Sequence, residues 1–269
     1  SRNLTIGRCV SGLGAGGLAI AEGAYQIDFL EIFECRVQVC QGCQAGSGGH
    51  SGGMSVYQGV TATINDAHIH HNANSGLSVH SGAAMQSSRL LLEENIGTLG
   101  CGGLLTEASL KLIDSKVRKN RGPILVDDFE TGAGGAFWAH TNSELHLIDS
   151  EVSDNQAFKG SGIAVSTGSR LIMERSSIKN NHPNSPDYDM PYWFDHSACG
   201  GGVLLLEGHL TMLEGSEISY NEARFGGGVQ VGAGSTLIGK SSYIGYNGGP
   251  SNAAGAQIFL GGGGWFHMS

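Results

Sequence analysis

Two segments of the sequence concentrate residue types that could bind sugars or metal ions. Residues 182–201 carry aromatic rings beside carboxylates, and residues 121–134 carry two adjacent aspartates. Aromatic rings pack on sugar faces and carboxylates accept hydrogen bonds from hydroxyls, while clustered carboxylate oxygens are ligands for Ca²⁺. The candidate ligand-binding residues are Asp127, Asp128, Asp187, Tyr188, Asp189, Tyr192, Trp193 and Asp195. In the alternative interpretation, Trp193 and its neighbours only pack together and anchor their own loop, or they contact a partner chain.

Other motifs that resemble reactive sites lack essential parts. Gly261 to Gly264 are not followed by the Lys-Ser/Thr pair and helix of a phosphate-binding loop. Serine is too common in the turns for one to be singled out as a nucleophile. Cys40-x-x-Cys43 has the spacing of half a zinc site, but no second pair accompanies it. We therefore predict no catalytic residue and no cofactor other than an optional calcium ion, and we assign no metal site.

A repeated motif must position these segments. Each copy has an aliphatic residue, two variable residues and Asn, followed after a gap by Gly-Gly or Ser-Gly and a hydrophobic residue. From the second Gly to the next Asn the spacing is 17 to 20 residues, whereas the gap after Asn varies from 4 to 21. Insertions therefore fall at one corner of the repeat, in the corner loops 41–52, 121–134 and 182–201. The asparagines are Asn72, Asn95, Asn120, Asn155, Asn181, Asn221 and Asn247, and two earlier copies, Ile6/Cys9 and Val37/Cys40, have Cys instead.

The constant part of each repeat predicts short strands. Apolar residues alternate, as in Val229-Gln230-Val231, with turn residues between the runs and no helical period. A period of roughly 24 residues accommodates three short strands and three turns, so the sequence predicts an all-β parallel β-helix, a solenoid of about nine to ten rungs. We expect residues 1–269 to form one domain, with Gly supplying positive φ at the corners, and with Asn both tolerating the left-handed region and forming an amide ladder.

The run His68, His70 and His71 could bind a metal ion or exchange protons. In the repeat alignment, however, the two positions before each Asn alternate in charge, for example His71, Glu94, Lys119 and Asp154. Opposite charges on neighbouring strands stabilise a sheet modestly. We therefore interpret the run as part of an exposed charge ladder.

The cysteines suggest one covalent link. Cys9 and Cys40 hold the same position in adjacent copies of the motif, which would place their Cα atoms within the range of a disulfide. We predict this bridge. The sequon Asn3-Leu4-Thr5 permits N-glycosylation of Asn3 in a secreted eukaryotic protein.

The alternation of Gly-Gly-[Ala/Ile/Leu/Val] with x-x-Asn resembles the repeats of the polymorphic outer-membrane proteins of chlamydiae and related surface proteins, over essentially the whole chain. Proteins of that family are extracellular, right-handed, single-stranded β-helices that serve as adhesins or surface scaffolds. The resemblance implies the same hand for this solenoid, and an extracellular or cell-surface location. This chain has Ile, Val or Leu where that family favours Phe before x-x-Asn.

Composition narrows the possible partners. A formal net charge of −9 without a Lys/Arg cluster argues against nucleic acid, and no apolar run is long enough for membrane insertion as a helix. We predict a structural or adhesive surface protein, a filament or scaffold component, that binds glycans or proteins through its corner loops. The alternative is a polysaccharide-active enzyme resembling pectate lyases, acting as a lyase, hydrolase or epimerase, which this fold also supports.

The repeats begin within six residues of Ser1 and continue nearly to Ser269. Solenoid ends expose backbone edges and core unless they are covered. We therefore expect either an excerpt of a longer chain or a protomer that stacks end to end with other copies. Alternatively, Phe259, Trp265 and Phe266 form a local plug.

Overall fold

Short strands joined by turns build the structure. The computed structural model describes residues 3–11, 15–37, 51–97, 100–122, 133–184, 200–249, 257–261 and 263–269, and no helix occurs among them. The strands are β1 (Leu4–Gly7), β2 (Val10–Ser11), β3 (Leu18–Ile20), β4 (Ala24–Phe33), β5 (Arg36–Val37), β6 (Met54–Val56), β7 (Thr61–His70), β8 (Leu77–Val79), β9 (Ala84–Ser88), β10 (Leu91–Glu93), β11 (Gly103–Thr106), β12 (Ser109–Ile113), β13 (Lys116–Arg118), β14 (Phe137–His140), β15 (Glu144–Ile148), β16 (Glu151–Ser153), β17 (Gln156–Ala157), β18 (Ile163–Ser166), β19 (Arg170–Glu174), β20 (Ser177–Lys179), β21 (His182–Pro183), β22 (Val203–Leu206), β23 (His209–Met212), β24 (Glu217–Ser219), β25 (Val229–Val231), β26 (Thr236–Gly239), β27 (Tyr243–Gly245), β28 (Ile258–Leu260) and β29 (Trp265–Met268).

These strands stack into three faces of a parallel β-helix, as the sequence predicts. Face 1 is a nine-stranded sheet in the order β28-β25-β22-β18-β14-β11-β8-β6-β3. Face 2 contains β9, β12, β15, β19, β23, β26 and β29, and face 3 contains β10, β13, β16, β20, β24 and β27. The ten-residue strands β4 and β7 contribute to both of these faces and join them into one sheet of 16 strands, which also includes β1. Consecutive strands on a face are parallel, and each rung adds about 4.8 Å.

The core is built from columns of aliphatic side chains that lie above one another in register. On face 3 the aliphatic residue of the motif pairs with its equivalent on the next rung, and each of these side chains is at most 1% exposed. Stacking of similar side chains fills the interior without large voids, which is the packing that stabilises protein cores. The column contains Ile69, Leu92, Val117, Val152, Ile178 and Ile218.

A column of buried asparagine amides joins the rungs at the corner that follows face 3. The Oδ1 atom of each asparagine from Asn95 onward accepts hydrogen bonds from both the backbone N–H and the Nδ2 of the asparagine one rung earlier, at 2.9 to 3.1 Å. Nδ2 also donates to a backbone carbonyl of the preceding rung, as from Asn120 to Leu92 at 3.0 Å. The column begins with the N–H of Cys35 donating to Asn72, and Gln257 Oε1 closes it by accepting from Asn247.

The chain turns at this corner through the residue before the asparagine. That residue has a φ of 51 to 57° on every rung from Arg8 to Tyr246, whereas the asparagines do not have positive φ. The expectation that Asn itself occupies the left-handed region is therefore wrong. Because the preceding residue makes the turn, the Asn side chain stays inside and aligned with the rod axis, where it bonds its neighbours.

Glycine is required on the other side of the same corner for two reasons. Gly200 has a φ of 61°, which confirms that glycine supplies positive φ there. Gly202, the second glycine of its pair, has no room for a side chain, because a Cβ would lie 2.6 Å from the Gly228 carbonyl oxygen and 3.0 Å from Asn221 Nδ2. The glycine pair and the asparagine column thus pack against each other.

The strand register corrects the alignment of the first repeats. Gly7 pairs with Phe33 and Val10 with Arg36, so the residue beside Cys9 is Cys35 and not Cys40. Ile32 and Cys35 form the second copy of the motif, which places the asparagine-equivalent position 18 residues after Gly17, as in the other rungs. Cys9 and Cys35 are free thiols, and burial raises the pKa of the Cys35 thiol to about 11. The predicted Cys9–Cys40 disulfide therefore loses its structural basis; Cys40 itself lies outside the described residues.

Deleting one member of the amide column should destabilise the protein more than deleting an exposed amide. In Asn120→Ala, the buried backbone N–H of Asn95 loses its acceptor, which costs about 1–3 kcal/mol, and the Asn120 side chain's own hydrogen bonds to Leu92, Arg118 and Asn155 are lost as well. We expect the free energy of unfolding, measured by urea denaturation, to fall by about 2–4 kcal/mol.

Gln86→Ala, which removes an exposed amide on β9, is the matched control. It should change the free energy of unfolding by less than about 0.5 kcal/mol. Equal effects of the two substitutions would contradict the role of the column.

Candidate functional site

The predicted ligand-binding residues lie in parts of the corner loops that the structure does not describe. Asp127 and Asp128 lie between Gly122 and Ala133, and Asp187, Tyr188, Asp189, Tyr192, Trp193 and Asp195 lie between Asn184 and Gly200. Their assignment to a ligand site stays a prediction. Asn3, the predicted glycosylation site, is described and exposed just before β1.

The bases of the two long corner loops are in direct contact. Arg121 is the first residue of the corner loop 121–134, and Asn184 is the third residue of the corner loop 182–201, two rungs further along the rod. Arg121 Nε donates to Asn184 Oδ1 at 2.8 Å, and Asn184 Nδ2 donates to the carbonyl oxygen of Gly122. Asn184 is 7% exposed. Both loops therefore leave the rod at the same corner, as the alignment of insertions predicts, and their bases are hydrogen-bonded to each other.

A groove opens on face 1 beside Ala133, near the end of the corner loop 121–134. Its cavity has a volume of about 350 Å³, within the range of roughly 300–1,000 Å³ typical of ligand pockets. The floor combines small and apolar side chains with a few polar ones, and Ala133 at its edge is the first described residue after the loop 123–132. The side chains that carry its chemistry are Trp138, His140, Lys159, Ser166 and Glu207.

Trp138 is held in a fixed orientation within the groove. Its Nε1 donates to Ser166 Oγ at 3.0 Å, and its ring lies 4.8 Å from that of His140 at an angle of 64°. His140 in turn bonds the hydroxyl of Thr141 at 2.8 Å. A half-buried indole beside imidazole and carboxylate groups offers one apolar face and several hydrogen-bonding partners. This is the combination that recognises a sugar ring.

The sequence pattern of β14 contains a signal for Trp138 as a site residue. In β14 the burial alternates, with Phe137 and Ala139 inside and Trp138 and His140 outside. A tryptophan on the outward side of a strand is a large apolar surface facing solvent, which often marks a binding place. The strand register strengthens this signal, because it places Trp138 beside Leu104 and Ala164, both of which are buried.

A second polar cluster lies on face 3, around the histidine run. The rings of His68 and His70 stack with centroids 3.9 Å apart, and His70 Nδ1 lies 2.8 Å from His71 Nδ1. Burial, followed by the nearby His68, lowers the pKa of His70. His71 Nε2 lies 2.7 Å from Glu94 Oε2, and Lys119 lies 3.6 Å from Glu94 Oε1. These contacts confirm the alternating charge ladder.

Glu93 is the most enclosed carboxylate of this ladder, with 13% of its side chain exposed. Arg118 Nε donates to one of its oxygens at 2.8 Å, and His68 Nε2 lies 3.0 Å from the other. Burial by itself raises the pKa of Glu93, but the hydrogen bonds from Arg118 and His68 outweigh it and lower the pKa below its ordinary value. Glu93 is therefore an ionised hydrogen-bond acceptor that links side chains of three successive rungs.

Comparison with known proteins identifies the architecture. The family model described as a right-handed beta helix region matches residues 17–190 and 104–269, which together span nearly the whole chain. No curated protein and no solved structure matches the chain. Among the described residues, no helix is long and apolar enough to cross a membrane.

The Glu93 contacts predict a specific dependence of stability on pH. Because its pKa is lowered in the folded state, Glu93 contributes stability that is complete above its unfolded pKa, about 4.3, and is lost as pH falls through the folded pKa. We expect Glu93→Gln to be less stable than wild type at pH 7 and to lose less stability between pH 5 and pH 3, as measured by urea denaturation at each pH.

Glu22→Gln removes an exposed carboxylate outside the ladder and serves as the control, with the pH dependence of wild type. An unchanged pH dependence in Glu93→Gln would show that this carboxylate carries no such linkage.

Proposed function

Because the chain belongs to the right-handed beta-helix family, we propose that it is a structural or adhesive surface protein that binds carbohydrate through the groove of Trp138 and the corner loops beside it. Beta-helices include both surface proteins and polysaccharide-active enzymes, and the family alone does not choose between them. The observation that carries the proposal is the half-buried Trp138, whose Nε1 donates to Ser166 in a groove that begins at Ala133, at the end of the acidic corner loop 121–134.

The chemistry of the groove favours sugars that carry little charge. The chain has a net charge of −9, which disfavours strongly anionic polymers. Within the groove the buried Lys159 and the carboxylate of Glu207 bring one charge of each sign, so hydroxyl groups are suited to it as donors and acceptors. Binding of this kind requires no cofactor, and calcium at Asp127, Asp128, Asp187 and Asp189 stays a separate proposal.

We also propose an extracellular or cell-surface location and kinship with chlamydial surface repeats. The support is the Gly-Gly-[Ala/Ile/Leu/Val] and x-x-Asn motif, now accounted for by the amide column. The exposed Asn3 in its sequon is compatible with glycosylation in such a location. Further contacts would involve adjoining domains or other copies of the chain at the last rung. There Leu260, Trp265 and Phe266 are 49%, 75% and 41% exposed, whereas Phe259, the third residue of the alternative plug, packs against Phe225 with ring centroids 5.4 Å apart.

A polysaccharide-active enzyme is the second candidate. In its favour, Glu93, His68 and Arg118 bring a carboxylate, an imidazole and a guanidinium together from adjacent rungs. Against it, both oxygens of Glu93 already accept hydrogen bonds, so this carboxylate is poorly suited to take a proton from a substrate. Cleavage or epimerisation of an acidic polysaccharide, abolished by Asp187→Ala or Glu93→Gln, would replace the binding proposal.

The proposal predicts loss of glycan binding when the groove loses its indole. On a glycan array, we expect wild type to bind and Trp138→Ala to bind about 10- to 100-fold more weakly, since burying an aromatic face contributes about 1.5–3 kcal/mol. Trp193→Ala tests the contribution of the second corner loop in the same way.

Trp265→Ala is the control, because this tryptophan is 75% exposed and lies on face 2 rather than in the groove. Binding that is unaffected by both Trp138→Ala and Trp193→Ala would overturn the site. Absence of binding by wild type would leave the protein with a scaffold role only.

A further inference from the structure

The histidine run on face 3 lies beside a carboxylate from the neighbouring rung. Glu31 on β4 is the register partner of His68 on β7, and His70 lies two residues further along β7. Because alternate residues of a strand point to the same side, all three side chains project outward from one face. One potential ligand atom from each of Glu31, His68 and His70 lies within 4.8 Å of the other two.

His70 contributes a nitrogen that the protein itself does not satisfy. Its Nε2 is buried and has no hydrogen-bond partner, and Glu31 Oε1 lies 3.6 Å away. The hydrogen bonds of the ring allow coordination through Nε2. In the tautomer with the hydrogen of His71 Nε2 directed at Glu94 and that of His70 Nδ1 directed at His71 Nδ1, the Nε2 atom of His70 has a lone pair for a metal ion.

The surroundings of the cluster match the supporting contacts of metal-binding histidines. Such histidines usually donate their second N–H to a carboxylate or another acceptor, which fixes the ring. Here His70 Nδ1 is hydrogen-bonded to His71 Nδ1, and His68 bonds Glu93, to which Arg118 donates at 2.8 Å. The distance of 3.6 Å between Glu31 and His70 is close to the separation of about 3.4 Å between two ligands bonded at about 2.05 Å to a tetrahedral Zn²⁺.

We propose that Glu31, His68 and His70 bind a divalent transition-metal ion of the Zn²⁺ type, with water at the remaining position. Two imidazoles and one carboxylate suit such an ion better than Ca²⁺ or Mg²⁺, which prefer oxygen ligands throughout. The Glu31 side chain is 45% exposed and can rotate to complete the site. A bound ion would cross-link β4 to β7 and thereby fasten two successive rungs. This proposal is independent of glycan binding in the groove on face 1.

Titration calorimetry of the full chain, without a histidine tag and after removal of metal by a chelator, tests the proposal with ZnCl₂. We expect one Zn²⁺ per chain, about 100-fold weaker binding or more in His70→Ala, and about tenfold weaker binding in Glu31→Gln. His209→Ala, an exposed histidine on face 2, should bind as wild type does. Excess Ca²⁺ or Mg²⁺ should not compete.

The pair Cys40 and Cys43 is the other group in the sequence with zinc-ligand spacing, so the same titration is done with Cys40→Ser/Cys43→Ser. Binding retained in this variant supports the site on face 3, and binding lost there overturns it. Wild type that binds no Zn²⁺, or binding unchanged in both His70→Ala and Glu31→Gln, also overturns it. Should His70→Ala fail to fold by circular dichroism, Glu31→Gln decides, since Zn²⁺ should raise the melting temperature of wild type more than that of this variant.

Discussion

The buried column of asparagine amides is the interaction on which the rest of the structure depends. Each Oδ1 accepts two hydrogen bonds from the rung before it, so every rung is tied to its neighbour at the same corner. An amide in this place accepts through Oδ1 from one rung and donates through Nδ2 to the next, as Asn120 does between Asn95 and Asn155, whereas a carboxylate can only accept. The register of all three faces follows from this corner, because a slip by one residue would bury polar side chains and expose the aliphatic columns.

The column also determines where the protein can vary. Between the glycine pair and the next asparagine, each residue has a fixed register partner above and below, so an insertion would disrupt three faces. After the asparagine the chain has already made its inter-rung bonds, and extra residues can leave the rod without breaking them. The hydrogen bonds of Asn184 with Arg121 and with the Gly122 carbonyl show how two such loops are linked where they leave the rod. The groove of Trp138 lies beside them, on strands whose positions the column and the glycines hold fixed.

The sequence predicted the fold well because its signals are local and repeated. The alternation of apolar residues, the glycine pair and x-x-Asn recur along the rungs, and the last two are each required by the packing of the same corner. The sequence alone does not single out Cys35, because a cysteine in place of asparagine is ambiguous when Cys40 and Cys43 follow so closely. The pairings of Gly7 with Phe33 and of Val10 with Arg36 resolve the choice. The left-handed residue was assigned to Asn rather than to the position before it, because Asn is the residue known to tolerate that region.

The functional features were harder to predict, since they depend on contacts across rungs. Trp138 becomes notable only when β11, β14 and β18 are side by side. Likewise, the carboxylate that joins the histidine run is identified only through the register, because Glu31 lies 37 residues before His68 in sequence and pairs with it on the neighbouring strand. Sequence spacing within one rung does not contain that information. The acidic and aromatic corner loops, in contrast, could be identified directly, because the repeat makes every interruption visible.

Hydrogen exchange followed by NMR tests the role of the amide column most directly. The backbone N–H of Asn120 is bonded only through the side chain of Asn155, at 3.0 Å from its Oδ1. In wild type we expect this N–H to exchange as slowly as those of the core strands, and in Asn155→Ala we expect it to exchange much faster while the N–H of Asn72 stays protected. Rapid exchange of the Asn120 N–H in wild type, or exchange unchanged by Asn155→Ala, would contradict the account.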